Sequence, residues 1–195
     1  MSLVNLGVTG IKPEAEFLFG EIQQLDFNYD CYETSLRDTV LPGIVAFLRL
    51  LADKRVRVHS TSLLLHSCGS QLEPNMFVDF AGHRVSQVTM SDIMVVKAEL
   101  FAGLESVERL SLSGGSVFNN STQQQPPTVG PSPFRALKSL RTLEFYMSEM
   151  PFGPDTLDGL ENLEELVLSV NRGMLIQPGW FGKQTSSRLR TLRIY

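Results

Sequence analysis

Cysteine and histidine are scarce in this sequence, which has 2 cysteines and 3 histidines among its 195 residues. Small secreted domains that are held together by several disulfides carry more cysteines than this. Cys31 and Cys68 are too far apart in the sequence to form a CxxC redox or zinc pair, and HExxH, phosphate-loop, dinucleotide-binding and GxSxG motifs are all missing. We therefore expect no enzymatic activity and no metal or organic cofactor in this chain.

An excess of positive charge is also missing, since the formal net charge at pH 7 is -4. Proteins that bind nucleic acid usually present basic surfaces to the phosphates, so nucleic acid is not an expected partner. No apolar run approaches the ~18 residues that a bilayer-spanning helix needs, and the first residues lack the basic segment and apolar core of a secretory signal. Either the protein is cytosolic, or the chain is a fragment whose true N-terminus is missing, and any membrane attachment is expected only through regions outside this chain.

One short apolar pattern recurs along the chain: an apolar residue, two residues of any kind, a second apolar residue, one residue of any kind and a third apolar residue. Leu163, Leu166 and Leu168 form a clear copy of this pattern. The second apolar residue of the copies is found at Val4, Leu25, Leu63, Val88, Leu110, Leu143, Leu166 and Leu192. Most of these residues follow one another at a period of ~20–29 residues, which is typical of one class of repeat protein, and two longer separations indicate insertions.

The alternation of apolar residues within each copy predicts a strand with one buried face. A lone strand of this kind cannot bury its apolar side, so neighbouring copies are expected to stack as parallel strands over a continuous core. Further apolar residues occur in matching phase before three copies, at Phe101 and Leu104, Phe134 and Leu137, and Leu157 and Leu160. We expect them to fill the core beneath the segments that connect the strands.

The repeated LxxLxL pattern, with a turn position three residues later, resembles the leucine-rich repeat family. That family usually places Asn or Cys at the turn position, which Cys68 and Asn171 match. The equivalent residues of the other copies depart from the pattern: Thr9, Asp30, Ile93, Gly115 and Ser148. The phrases LFAGLESVERL and TGIKPEAEF resemble extracellular receptor-type repeats, such as those of Toll-like receptor ectodomains. The resemblance implies an α/β fold, a leucine-rich repeat solenoid or horseshoe with a parallel β-sheet on its concave face and irregular or short helical segments on its convex face.

The whole chain, residues 1–195, is expected to form a single solenoid of this kind. Neither its first nor its last copy carries the polar capping unit that keeps the ends of a solenoid soluble, so we expect a piece of a longer protein. A first insertion, at about 31–56, places Val40, Ile44 and Leu48 at helical spacing behind a cap at Asp38 or Thr39. It predicts a short amphipathic helix on the convex side that adds core packing.

A second insertion, at about 116–133, is polar and rich in glutamine and proline, which predicts a loop. Two overlapping acceptor sequences for N-linked glycosylation begin at Asn119 and Asn120. In a chain that resembles receptor-type repeats, their place in an exposed loop favours an extracellular location over a cytoplasmic one.

The residues between the buried positions of each strand are expected to face the concave side and to form columns across the repeats. Aligning the copies on the second apolar residue places Asp26 beside Leu64, Asn28 beside His66, and Tyr29 beside Ser67. Most column members are small and polar, whereas aromatic residues and methionine are favoured in protein interfaces. We therefore predict a protein-binding concave face that includes Tyr29, His66, Asp92, Glu144, Tyr146 and Met147.

The two cysteines leave two interpretations open. Cys68 occupies a turn position, and Cys31 lies one residue past the equivalent position of the preceding copy. Neighbouring strands are about 4.8 Å apart, so a disulfide between these residues is geometrically allowed. The preferred interpretation is a buried thiol at Cys68 and a loop thiol at Cys31.

The sequence therefore favours a module that binds a protein or another macromolecule, as part of a cell-surface or secreted recognition receptor of the innate immune or adhesion type. A cytosolic repeat scaffold, such as the sensor region of an immune protein or a ubiquitin-ligase adaptor, is the first alternative. The second is the substrate-recognition arm of an enzyme whose catalytic part lies outside this chain.

Overall fold

The computed structural model describes residues 20–31, 35–93, 96–97, 99–114, 133–147, 156–170 and 188–195. Its main feature is a parallel sheet of seven strands: β2 (Leu25–Asp30), β4 (Thr61–His66), β5 (Val85–Met90), β6 (Arg109–Ser113), β7 (Thr142–Met147), β8 (Glu165–Val170) and β9 (Thr191–Ile194). The strands lie in the sheet in the order in which they occur along the chain. Among the described strands, β2 and β9 form the two edges, so the sheet is not closed into a barrel.

The stacking predicted from the recurring apolar pattern is confirmed for the described copies. Leu110 pairs with Leu143, and Leu143 pairs with Leu166, on adjacent parallel strands. One row of the sheet consists of Phe27, Leu63, Val88, Leu110, Leu143, Leu166 and Leu192. The weak copy at Val4 lies outside the described residues. The chain is thus an α/β protein in which successive copies supply neighbouring strands.

The predicted register of the first described copy is wrong by two residues. Phe27, not Leu25, pairs with Leu63, and Leu25 pairs with Thr61. A shift of two residues keeps every side chain on the same face of a strand, so the apolar alternation alone does not choose between these registers. In the observed register the ring of Phe27 meets that of Phe47 edge to face, with the ring centroids 6.2 Å apart.

The core lies on one side of the sheet, beneath the segments that connect the strands. Phe101 and Phe134 precede Leu110 and Leu143 by equal distances in the sequence, and both phenylalanines are fully buried. Their rings stack with centroids 5.6 Å apart, and Phe134 also meets Phe145 at 5.8 Å. The apolar residues in matching phase therefore fill the space between consecutive connections, as predicted.

A helical segment lies between β2 and β4. It begins with a π-helical turn at Leu36–Val40 and continues as α1, Leu41–Asp53. Leu41, Ile44, Val45, Leu48 and Leu51 of α1 are buried in the core. The cap is Ser35 rather than the predicted Asp38 or Thr39, because the Ser35 hydroxyl accepts a hydrogen bond from the Asp38 amide at 3.1 Å. The helical segment consequently begins several residues earlier than the spacing of its apolar residues indicates.

Short elements complete the described structure. A two-stranded parallel sheet joins β1 (Glu21–Ile22) to β3 (Arg57–Val58), and 3₁₀ turns are formed by Gly69–Gln71 and Val78–Phe80. No helix in the described ranges is long and apolar enough to cross a membrane. Of the second predicted insertion, only Pro133 is among the described residues.

Candidate functional site

The side of the sheet opposite the core is called the open face here. Strand alternation assigns it three rows of residues. The first row is Asp26, Ser62, Gln87, Arg109, Thr142, Glu165 and Thr191, and the second is Asn28, Leu64, Thr89, Ser111, Glu144, Val167 and Arg193. The third includes Asp30 beside His66, and Ser113 beside Tyr146 and Ser169. The face combines small polar residues with a few large charged and aromatic ones.

The structure places one of the predicted contact residues, Tyr29, away from the open face. Tyr29 pairs with Leu65, a core residue, and its half-buried side chain packs against the core. Its predicted exposure on the binding face is therefore wrong: β2 continues to Asp30, so alternation carries Tyr29 to the same side as Leu25 and Phe27. Met147 ends β7, and its side chain lies outside the described part of the structure.

Two ion pairs cross the open face diagonally between neighbouring strands. The Arg109 guanidinium lies 3.1 Å from the carboxylate of Glu144, and the Arg193 guanidinium lies 3.3 Å from that of Glu165. Only Glu144 was predicted as a contact residue. Strand alternation could have placed both arginines on the open face. Each is adjacent in the sequence to a leucine of the apolar pattern, Leu110 or Leu192, whose side chain points to the opposite side of the strand.

Tyr146 lies among these charges and remains about half exposed. Partial burial raises the pKa of its phenol above 10.0, and the charges of Glu144 and Tyr195 add to the rise. Arg109 and Arg193 act in the opposite direction and lower the pKa. Tyr146 lies on β7, between the strands that carry Arg109 (β6) and Arg193 (β9), so an exposed aromatic ring and two guanidinium groups occupy one region of the face.

His66 and Asp92, two further predicted contact residues, are connected through serines at the ends of β4 and β5. The Asp92 carboxylate accepts hydrogen bonds from the hydroxyls of Ser67 at 3.1 Å and Ser91 at 3.4 Å. The Ser91 hydroxyl also accepts from the Ser67 amide at 3.2 Å and lies 3.5 Å from Nδ1 of His66. Because the carboxylate bonds to hydroxyls, it does not orient the imidazole as a catalytic base requires. These hydrogen bonds hold the end of β4 against the end of β5.

Cys31 and Cys68 form a disulfide, with their Cα atoms 5.0 Å apart. The interpretation preferred from the sequence, two unpaired thiols, is therefore wrong, and the alternative disulfide is present. Asp30 pairs with His66, and the next amide, of Cys31, donates to the His66 carbonyl at 3.0 Å. This bond carries Cys31 alongside the turn that contains Cys68.

A glutamine near the disulfide connects it to the helical segment. The side-chain amide of Gln71 donates to the Cys31 carbonyl at 2.9 Å, while its oxygen accepts from the Leu36 amide at 2.7 Å. A single side chain thus satisfies one backbone group just after β2 and another at the start of the helical segment.

The described ranges contain no cluster of three or more histidine, cysteine or acidic side chains that suits a metal ion. The predicted glycosylation acceptors Asn119 and Asn120 lie outside the described residues. No protein-family model, curated protein or solved structure matches the chain.

Proposed function

We propose that this chain is a leucine-rich repeat solenoid whose open face binds a protein partner, as part of a cell-surface or secreted recognition receptor. The observation that carries the proposal is the unbroken row of apolar residues from Phe27 to Leu192, which pairs every described copy of the repeat with the next. Such stacking leaves the opposite side of the sheet as one continuous preformed surface. A rigid surface binds with a small ordering cost.

The composition of the open face supports a protein as the partner. Tyrosine and arginine are the residues that most often dominate binding energy in protein interfaces. Tyr146, Arg109 and Arg193 lie together on this face, and each remains about half exposed. Small serines such as Ser111 and Ser169 surround them, so a partner can approach the backbone of the sheet closely.

The disulfide supports placing the module outside the cell. Disulfides persist in oxidising compartments and are rare in the cytosol, where glutathione and thioredoxin keep thiols reduced. The bridge between Cys31 and Cys68 joins two neighbouring copies of the repeat. The cytosolic scaffold or ubiquitin-ligase adaptor, the alternative to a receptor, would have to keep this pair reduced.

The compartment is tested by sending the full chain through the secretory pathway of mammalian cells behind a foreign signal peptide. We expect endoglycosidase treatment to increase its gel mobility, and a double variant, Asn119→Gln with Asn120→Gln, to lose that effect. The Cys31–Cys68 bridge should be present in the secreted protein, as judged by thiol labelling under denaturing conditions. Secreted protein without either modification would contradict the extracellular proposal.

The binding face is tested by selecting a random dodecapeptide phage library against the immobilised chain. We expect the selected peptides to bind Tyr146→Ala at least about tenfold more weakly than the parent, a loss of about 1.4 kcal/mol. Leu50→Ala is the matched control, because Leu50 is similarly exposed but belongs to α1. Selection of no binder, or of peptides that bind both variants equally, would count against the open face.

A further inference from the structure

The two ion pairs of the open face are layered, with the arginine outside and the carboxylate beneath. The side chain of Arg109 is 48% exposed and that of its partner Glu144 is 17% exposed. The second pair repeats the arrangement, with Arg193 56% exposed and Glu165 25% exposed. A molecule that approaches this face therefore meets guanidinium groups first.

Most of the other described ion pairs have a smaller depth difference, although Arg141 and Glu164, at 60% and 34% exposure, come close to it. Arg37 pairs with Glu73, and Arg57 pairs with Glu21, and in both cases the carboxylate is itself at least half exposed. A partner at those sites would meet both charges. The two carboxylates at β6–β9 are thus the least exposed of those in the described arginine ion pairs.

The outward groups of this region are mainly hydrogen-bond donors. A guanidinium donates along several directions and accepts along none, so a bond to one partly buried carboxylate leaves other N–H groups free to bind a ligand. The Tyr146 phenol, on the strand between those of the two arginines, stays protonated at neutral pH and can donate as well. An acceptor-rich ligand satisfies such a surface, and a carboxylate matches the planar fork of arginine.

We propose that the open face at β6–β9 binds an acidic segment of a partner protein, with Arg109 and Arg193 each holding a carboxylate and Tyr146 packing between them. The inference rests on the proposed function and specifies the chemistry of the partner. Glu144 and Glu165 act as positioning residues, since each holds its arginine in the outward orientation.

A protein carboxylate fits this surface better than a nucleic acid does. Each arginine already forms an ion pair with a glutamate, and the chain carries a net charge of -4. A phosphate backbone gains its affinity from many uncompensated cations, which are missing from the described part of this face. Two spaced guanidinium groups beside an exposed tyrosine instead suit a few acidic side chains on a peptide.

The proposal is tested by fluorescence anisotropy with labelled dodecapeptides at low ionic strength, where charge interactions are strongest. The probes alternate serine with glutamate, glutamine or lysine, and an oligothymidylate of equal length is the nucleic-acid probe. We expect the glutamate peptide to bind about tenfold more tightly than the glutamine peptide, and added salt to weaken it. Arg109→Gln and Arg193→Gln should each weaken binding by roughly fivefold to tenfold.

Arg57→Gln is the control, because Arg57 lies outside the open face and has an exposed partner. Circular dichroism of each variant shows whether it is folded. Equal binding of the glutamate and glutamine peptides, an equal loss in the Arg57 variant, or tighter binding of oligothymidylate would overturn the proposal.

The two proposals fail in distinguishable ways. Phage peptides whose binding depends on Tyr146 but that carry no excess of aspartate or glutamate would overturn the proposal of an acidic partner. They would leave standing the proposal that the open face binds a protein. Selected peptides that ignore Tyr146 would overturn the binding face itself. An excess of acidic residues among Tyr146-dependent peptides is the expected result and supports both.

Discussion

Cys31 and Cys68 are covalently joined across neighbouring copies of the repeat, 37 residues apart in the sequence. The bond ties the edge strand β2 to the turn after β4. The helical segment and β3 lie within the closed loop. The bridge thus holds the pair of strands, β2 and β4, whose register differs by two residues from the one predicted from the sequence.

Removing this bridge is expected to destabilise the protein by about 2–4 kcal/mol, because the crosslink limits the conformational entropy of the unfolded chain. The comparison is between the parent and Cys31→Ser with Cys68→Ser, with the free energy of unfolding measured in urea. The reduced parent should match the double variant. If the oxidised parent and the double variant unfold at the same urea concentration, the bridge contributes nothing to stability.

Most of the sheet was predictable from the sequence because burial imposes a period of two within each strand and a longer period between strands. Leu63, Val88 and Leu110 could be aligned by their apolar pattern alone. The register of β2 could not, since Leu25 and Phe27 satisfy the same alternation. In the observed register the ring of Phe27 packs against that of Phe47 in α1, a contact that the apolar pattern does not encode.

A glycine provides a second stability test, at a point where consecutive connections approach each other. Gly103 has a φ of 94°, and a Cβ at this position would lie 2.1 Å from the Phe77 carbonyl oxygen. Gly103→Ala is therefore expected to destabilise the protein by at least about 2 kcal/mol, through both backbone strain and the clash. The free energy of unfolding in urea measures the effect.

Gly43 is the matched control for this substitution. It lies in α1, and a Cβ there meets no atom within 4 Å. Gly43→Ala should stabilise the protein by about 0.5–1 kcal/mol, since alanine loses less conformational freedom in a helix. Equal effects at the two glycines would show that the two connections do not approach as described.

The candidate site was less predictable than the sheet. Tyr146 and Glu144 could be placed on the open face because their strand keeps the expected register. Tyr29 could not, because the length of β2 decides on which side the residue lies. The layering of Arg109 over Glu144 depends on side-chain conformations that no spacing in the sequence encodes.

The packing of α1 against the turn that precedes β5 is testable through a histidine. Burial lowers the pKa of His83 below 6.5, and the positive charge of Arg49 on α1 lowers it further. Between the lowered pKa and 6.5 the folded state binds fewer protons than the unfolded state, so this group makes stability fall as the pH drops through that window.

Arg49→Gln is expected to raise the pKa of His83 toward 6.5, because it removes the repulsion of the imidazolium and leaves the burial. Titration of the histidine ring protons by NMR measures the change. Arg37→Gln is the control, since Arg37 belongs to the π-helical turn and pairs with Glu73. A His83 pKa that is insensitive to Arg49 would place α1 away from this turn.

The electrostatics of the open face can be measured at Tyr146 itself. The phenol has a pKa above 10.0, so the folded state retains a proton that the unfolded state loses. The resulting contribution to stability is complete below pH 10 and disappears as the pH rises through the folded-state pKa. Subtracting the ultraviolet titration of Tyr146→Phe from that of the parent isolates this phenol from the other tyrosines.

Two substitutions should then move the Tyr146 pKa in opposite directions. Glu144→Gln removes a negative charge that disfavours the phenolate and is expected to lower the pKa, whereas Arg109→Gln removes a favourable positive charge and is expected to raise it. Glu108→Gln, whose partner is Arg84, is expected to leave the pKa unchanged. Shifts in the same direction for the Glu144 and Arg109 variants would mean that these groups do not share one surface with Tyr146, and the arrangement inferred for partner binding would no longer stand.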